Sequence, residues 1–189
     1  MGGSSKSQTV GYRYRMGLHL ALCQGPVDAV QEIQMGDRTA WGDADRAPLS
    51  TGHGLTSLSI NKPTLFGGDE REGGVVGTID VLSGHAGQGR NDYLMSRLGS
   101  SIPAFRGVLS LVARKILFAA NNPYIKPWAV RVRRFNSGWH DHAWMGDSEV
   151  RTWDEDEGRE ISVGMNPAHI LVQCLTDPHW GMGYPQSTI

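Results

Sequence analysis

A mainly β, loop-rich fold with one or two short helices is what this sequence predicts, and three observations predict it. Glycine fills 25 of 189 positions, so turns, bulges and close backbone approaches recur more than a helical bundle tolerates. Residues 12–22 alternate strictly: Tyr12, Tyr14, Met16, Leu18, Leu20 and Leu22 stand at even positions, with Arg13, Arg15, Gly17, His19 and Ala21 between them. Period two places the even set on one face of a strand, packed into the core. Helical signals, by contrast, are confined to two short stretches.

Taken in order, a Gly25-Pro26 turn follows the first strand, and residues 27–35 read as a second strand, completing an antiparallel hairpin. His19 falls on the first strand's polar face, toward solvent or a neighbour. Residues 55–60 and 74–82 read as further strands. The loop KPTLFGGDEREGG joins them, with Pro63, Gly67-Gly68 and a charged tip as its turn chemistry. Residues 91–99 form one short helix, capped by Asn91 and closed by Gly99. Residues 106–120 are a long apolar stretch with Val108, Val112, Ile116 and Phe118 on one parity. In residues 128–135, Val130 and Val132 alternate with Arg131 and Arg133, the pattern of a half-buried strand. Residues 138–164 are polar and acidic, a long loop or an irregular hairpin. The last element is a helix: Asn166 is a good N-cap, Pro167 suits the first helical position, and Asp177-Pro178 ends it. Its expected apolar stripe is Ala168, Leu171, Val172 and Leu175, widened by Ile170 and Cys174.

A chain of 189 residues can bury a real core as one domain or a little more. No apolar run reaches the roughly 18 residues needed to cross a membrane. The start, MGGSSKSQ, has no apolar signal core, so residence in the cytoplasm where the chain is made is expected. Cys23 and Cys174 sit in separate apolar segments and are expected to be buried free thiols.

The net charge of −1 hides an asymmetry. Residues 93–140 contain no acid, while Arg97, Arg106, Arg114, Lys115, Lys126, Arg131, Arg133 and Arg134 supply positive charge. The next twenty residues hold Asp141, Asp147, Glu149, Asp154, Glu155, Asp156, Glu157 and Glu160 against Arg151 and Arg159. One reading is two solvated faces of a domain. Another is complementarity between neighbouring subunits in a ring, where charge sets register; Arg131, Arg133 and Arg134 facing Asp154, Glu155, Asp156 and Glu157 are then the subunit-contact candidates. Nucleic-acid binding fits less well, because no helix-turn-helix, zinc-finger or RNA-binding signature accompanies the basic stretch.

Catalytic chemistry has thin support. His140 and His142, two apart on a strand, could share a metal, but the further ligands would have to come from Asp147, Asp154 or His179, which nothing fixes. Solvated loop histidines are the simpler reading. GGDEREGG lacks the phosphate-loop lysine, and its acidic centre would repel phosphate. No G-x-S-x-G, no H-E-x-x-H and no histidine-activated cysteine is present. The expectation is a protein without cofactor or catalytic residues.

Residues 176–183, TDPHWGMG, follow the terminal helix in the pattern T-x-P-x-(aromatic)-G-M-G. With the Ser4-Ser5-Lys6 arm, Gly25-Pro26-Val27-Asp28, and the block INKPTLFGGDEREGGVVGTIDVL, NDYLMSRLG, PAFRGVL and NNPYIKPWAVRVRR within residues 60–134, the chain resembles the N-terminal region of lambda-type central tail-tip proteins. These are the baseplate hub or host-specificity proteins of long-tailed phages and prophages. The resemblance implies a β-barrel-like hub domain, a homotrimer on the tail axis, contacts with other tail-tip proteins, and a place in the virion after assembly in the host cytoplasm. It divides the chain into an arm at residues 1–10, a β-rich hub domain at 11–165 and a helix with exit at 166–189. That exit is expected to lead to a missing downstream domain. A metal-dependent hydrolase using His140 and His142, or a non-functional prophage remnant, are the alternatives.

Overall fold

The computed structural model describes residues 11–42, 49–50, 55–134, 149–156 and 158–188. They form ten strands: β1 (Arg13–Gln24), β2 (Ala29–Met35), β3 (Arg38–Gly42), β4 (Leu49–Ser50), β5 (Leu55–Lys62), β6 (Val75–Leu82), β7 (Val108–Ala120), β8 (Trp128–Arg133), β9 (Glu149–Asp154) and β10 (Arg159–Met165). Two short α-helices accompany them, α1 (Asp92–Leu98) and α2 (Pro167–Thr176). The fold is mainly β, as the sequence predicts. It divides into two compact units, Met1–Val132 and Arg133–Ile189.

In the first unit, one antiparallel sheet runs β1-β7-β6-β5 and a second runs β3-β2-β4, with β8 also paired to β2. The sheets bury a common core in which Val30, Ile33 and Met35 of β2 meet Ile79 and Val81 of β6 and Leu109, Leu111 and Ile116 of β7. The pairing of β5 with β6 is regular from Leu55↔Leu82 to Lys62↔Val75, as expected of the two stretches that the charged loop joins.

The expected hairpin of the first two strands is not formed. β1 pairs with β7, from Arg13↔Ala120 to Gln24↔Val108, and β2 lies in the other sheet. Between them the backbone is seized by other segments: Gly25 N–H donates to Gly107 O at 2.9 Å and Val27 N–H to Ser83 O at 3.1 Å. The physical reason is burial. β2 hides Ala29, Val30, Glu32, Ile33 and Met35, residues of both parities, so it needs cover on both faces, which an outer hairpin cannot give.

Period two holds in β1, where the even side chains are the more buried, but they are only half-buried rather than in the core. Leu18, Leu20 and Leu22 flank the core cluster instead of filling it. β1 is the outer strand of its sheet and has no second neighbour among the described residues. β7 departs from single-parity burial: Leu109, Ser110, Leu111, Val112 and Ala113 are all buried, because the sheet is covered on both sides there. The second cover is α1 with the chain after it, where Leu94 packs on Leu82 and Val112 beside Tyr93, Ile102 and Phe105.

β7 also carries an irregularity. Between Met16↔Ile116 and Leu18↔Ala113 the register slips, leaving Arg114 and Lys115 opposite Gly17 alone. Lys115 has φ 52° there and is exposed. The left-handed region costs an L-residue about 1–2 kcal/mol, and glycine gives back only part of that as chain entropy. Lys115→Gly should therefore raise stability by about 0.5–1 kcal/mol in denaturant unfolding. A loss of stability would mean that the ammonium makes contacts outweighing its strain.

In the second unit, β9 and β10 form an antiparallel hairpin, Arg159↔Asp154 to Met165↔Glu149, with a slip between Ser162 and Gly164. This is an irregular hairpin within the acidic stretch, whose residues 138–148 lie outside the described residues. α2 follows, with Asn166 Oδ1 accepting from Ala168 N–H at 3.0 Å and Pro167 in the first turn. Its buried side chains are His169, Val172 and Gln173, whereas Leu171 is 65% exposed. The buried face is thus rotated from the expected apolar stripe, and only Val172 belongs to both. The exit folds back on the helix end: Met182 N–H donates to Cys174 O and Tyr184 N–H to Leu175 O, both at 2.8 Å. A Cβ on Gly181 would lie 2.6 Å from Cys174 O, so the first glycine of the G-M-G motif is required by this close approach.

Candidate interaction surface

The residues singled out for chemistry or contact fall in three groups. His140, His142 and Glu157 lie outside the described residues, as do Asp141 and Asp147. His179 is exposed, and its backbone N–H donates to Asp177 Oδ1 at 2.8 Å, a turn that shapes the exit. Among the described residues no group of three His, Cys, Asp or Glu side chains is placed to hold a metal ion.

The charged candidates are largely used within the chain. Arg131 on β8 lies 3.8 Å from Glu32 Oε2 on β2. Glu32 also accepts from Thr39 Oγ1 at 2.6 Å and Gln34 Nε2 at 2.8 Å, and these hydrogen bonds, with the more distant Arg131, hold its carboxyl below its usual range. Arg133 and Arg134 are half-buried and engaged. Asp154 shapes the β9–β10 turn, its Oδ1 accepting from Asp156 N–H at 2.9 Å and its carbonyl from Gly158 N–H at 2.9 Å. Glu155 and Asp156 are exposed at the same turn.

Elsewhere part of the acid-free stretch is paired with carboxylates from earlier in the chain. Arg114 bonds Asp80 and Asp92, and Lys126 Nζ meets Glu72 Oε2 at 2.7 Å. Three of the eight cations in that stretch, Arg114, Lys126 and Arg131, thus have carboxylate partners inside the first unit. That part of the basic run is therefore not an unopposed face.

Another cluster of paired charges surrounds the GGDEREGG loop. Arg13 of β1 pairs with Asp69, Nε to Oδ1 at 3.0 Å, and this partner holds the Asp69 carboxyl below its usual range. Asn121 Nδ2 donates to Asp69 O at 2.7 Å and Arg71 O at 2.9 Å, and Lys126 lies 5.0 Å over the Phe66 ring. A Cβ on Gly73 would lie 2.7 Å from Ala120 N, so the loop can seat against β7 only with glycine there. Two open hollows result. One of about 200 Å³ is lined by Gly11, Tyr12, Arg13, Asp69, Ala120 and Asn121. The other, of about 420 Å³, is lined by Asp37, Arg38, Phe66, Arg71, Glu72 and Lys126. Exposed Tyr12, Tyr124 and Ile125 belong to the same loops and strand start. Aromatic rings among paired charges on an open surface suit protein contact, where such residues dominate binding energy.

The sequence pointed to the loop as a turn but not to the residues that hold it. Asn121 is the missed one. It has φ 60°, a conformation that asparagine tolerates better than most residues, and the Asn-Asn-Pro run was the available signal. Neither cysteine is in a disulfide, but Cys23 is exposed and Cys174 half-buried, because the first sits on the outer strand and the second beside the folded-back exit. No protein-family model and no curated protein matches this chain.

Proposed function

We propose that this chain is a structural component of a phage or prophage tail tip, the N-terminal hub part of a host-specificity protein. In this reading it acts by contact with copies of itself, as a trimer, and with other tail-tip proteins, and it carries no catalytic residues or cofactor. The observation that supports it most is where the longest resembling block falls. Residues 60–134 supply β6, α1, β7 and β8 and the charged loop, so the likeness covers the framework of the first unit. Within it the polar side chains fasten loops to strands: Arg13–Asp69, Lys126–Glu72 and Asn121 on the loop carbonyls. The motif TDPHWGMG likewise forms the folded-back end of α2. A framework-building role for the resembling residues is what a protein working by shape and contact requires.

The test is genetic. In a source genome that yields particles on induction, deleting the gene should give tipless tails or none, with restoration when the gene is supplied in trans. Mass spectrometry of purified particles should find the chain. Normal, infectious particles without it would overturn the proposal.

A further inference from the structure

His19 is the one polar side chain of β1 turned into the cover of its sheet. It stands opposite Val112 of β7, which in turn stands opposite Asp80 of β6, so the three share one face. Phe105 packs edge-on against the imidazole, ring centres 4.5 Å apart. The Nε2 atom is buried and meets no hydrogen-bond partner among the described residues.

The segment pressing on His19 is held under tension. Phe105 has φ 54°, a left-handed conformation rare for an aromatic residue. It stays there because Gln88, fully buried, donates from Nε2 to Ala104 O at 2.6 Å and to Phe105 O at 3.3 Å. Arg106 Nε adds a bond to Gln88 O at 3.0 Å. The underside is apolar, with Ile102 and Phe105 on Leu82 and Val112.

Charge around the imidazole is already committed. On the same strand Arg15 and the exposed Cys23 share its parity. From the elements packed against it come Arg114 on β7, Asp80 on β6, Asp92 and Tyr93 on α1, and Arg106 in the covering segment. Both carboxylates of that set are bonded to the Arg114 guanidinium, and Tyr93 lies under Arg114 and Arg97. A proton on His19 would therefore place a cation where the nearby carboxylates are already paired, with an Nε2–H that meets no acceptor among the described residues. Burying such a group without a partner is costly.

We propose that His19 makes this flap, residues 102–107, acid-sensitive: protonation lifts Phe105 off β1 and opens the apolar surface of Leu82 and Val112, while α1 stays anchored. The sign follows from burial, which pushes the closed-state imidazole below its ordinary value of 6.5. Closure is then fully favoured above that value and lost as pH falls through the lowered one. Asp92 does not share the response, because Arg114 keeps its carboxyl low and the pair intact. The device is independent of the role proposed above.

Hydrogen exchange of the full chain, followed by mass spectrometry at pH 7.5 and 5.0 and corrected for intrinsic rates, reads the opening. Peptides spanning residues 102–107 should exchange several-fold faster at the lower pH. Peptides of α1 should not change. His19→Phe, and His19→Gln in case the larger ring repacks, should make the flap's exchange independent of pH. An unchanged pH response in both variants, or no response in the native chain, would overturn the proposal.

Discussion

Among the described residues, Arg114→Ala should be the most damaging single polar substitution, costing about 3–5 kcal/mol of stability. The arginine Nε donates to Asp80 Oδ2 at 2.7 Å, and that carboxylate is fully buried. Ser57 Oγ and Asn91 Nδ2 also donate to Asp80, each at 2.7 Å, yet both are neutral. Removing the guanidinium would leave a buried carboxylate with no opposite charge against it. The consequences reach further than one pair, because Asn91 is shared. Its Oδ1 caps α1 by accepting from Leu94 N–H at 2.9 Å while its amide reaches Asp80. Loss of the charge at Asp80 thus loosens the helix from the sheet it covers. Asp92 is the control: it bonds the same guanidinium, but its side chain is 69% exposed, so Asp92→Ala should cost under about 1 kcal/mol. Arg114→Lys should recover part of the loss, keeping charge but not the fork that spans two carboxylates. Urea midpoints of the three variants decide it, and equal midpoints for Arg114→Ala and Asp92→Ala would show that the buried pair carries no special weight.

Local signals in the sequence were legible where a residue's own chemistry fixes its conformation. Asn91 and Gly99 bound α1, and Asn166, Pro167 and Asp177 bound α2, because caps act within one turn of the chain. The strands β5, β6 and β8 show in their runs of apolar and β-branched residues. What did not show was which strands pair. Residues 12–22 and 27–35 are separated by a short turn, and proximity predicts a hairpin. The pairing of β1 with β7 is instead decided by β2's need to be covered on both faces, a property of the whole core.

The candidate surface was less legible for a related reason. Arg114, Lys126 and Arg131 looked like an unopposed basic run, since their partners Asp80, Glu72 and Glu32 lie from 34 to about 100 residues earlier. Ion pairs between residues far apart in the chain leave no trace in local composition. The rotated face of α2 has the same origin: His169 and Gln173 are buried against what the unit places there, while helical periodicity counts only apolarity. Tertiary context overrode the local pattern in each case.

Substituting the core should separate the two kinds of strand face most cleanly. Ile79→Ala on β6 is expected to cost about 2–5 kcal/mol, because Ile79 is fully buried in the main cluster and the truncation leaves a cavity between two sheets. Leu20→Ala on β1 reads from the sequence as an equal loss. In the structure Leu20 is half-buried at the margin of that cluster, on an outer strand, so its loss should be about 1–2 kcal/mol. Arg15→Ala, exposed on the same strand, should stay within about 0.5 kcal/mol. The order Ile79, Leu20, Arg15 follows from cover alone, since both apolar side chains carry the same number of carbons. Denaturant unfolding with an unchanged slope gives the comparison directly. If Leu20→Ala proves as costly as Ile79→Ala, the even face of β1 is covered in solution by something beyond the described residues, and the outer strand of this sheet is not outer at all.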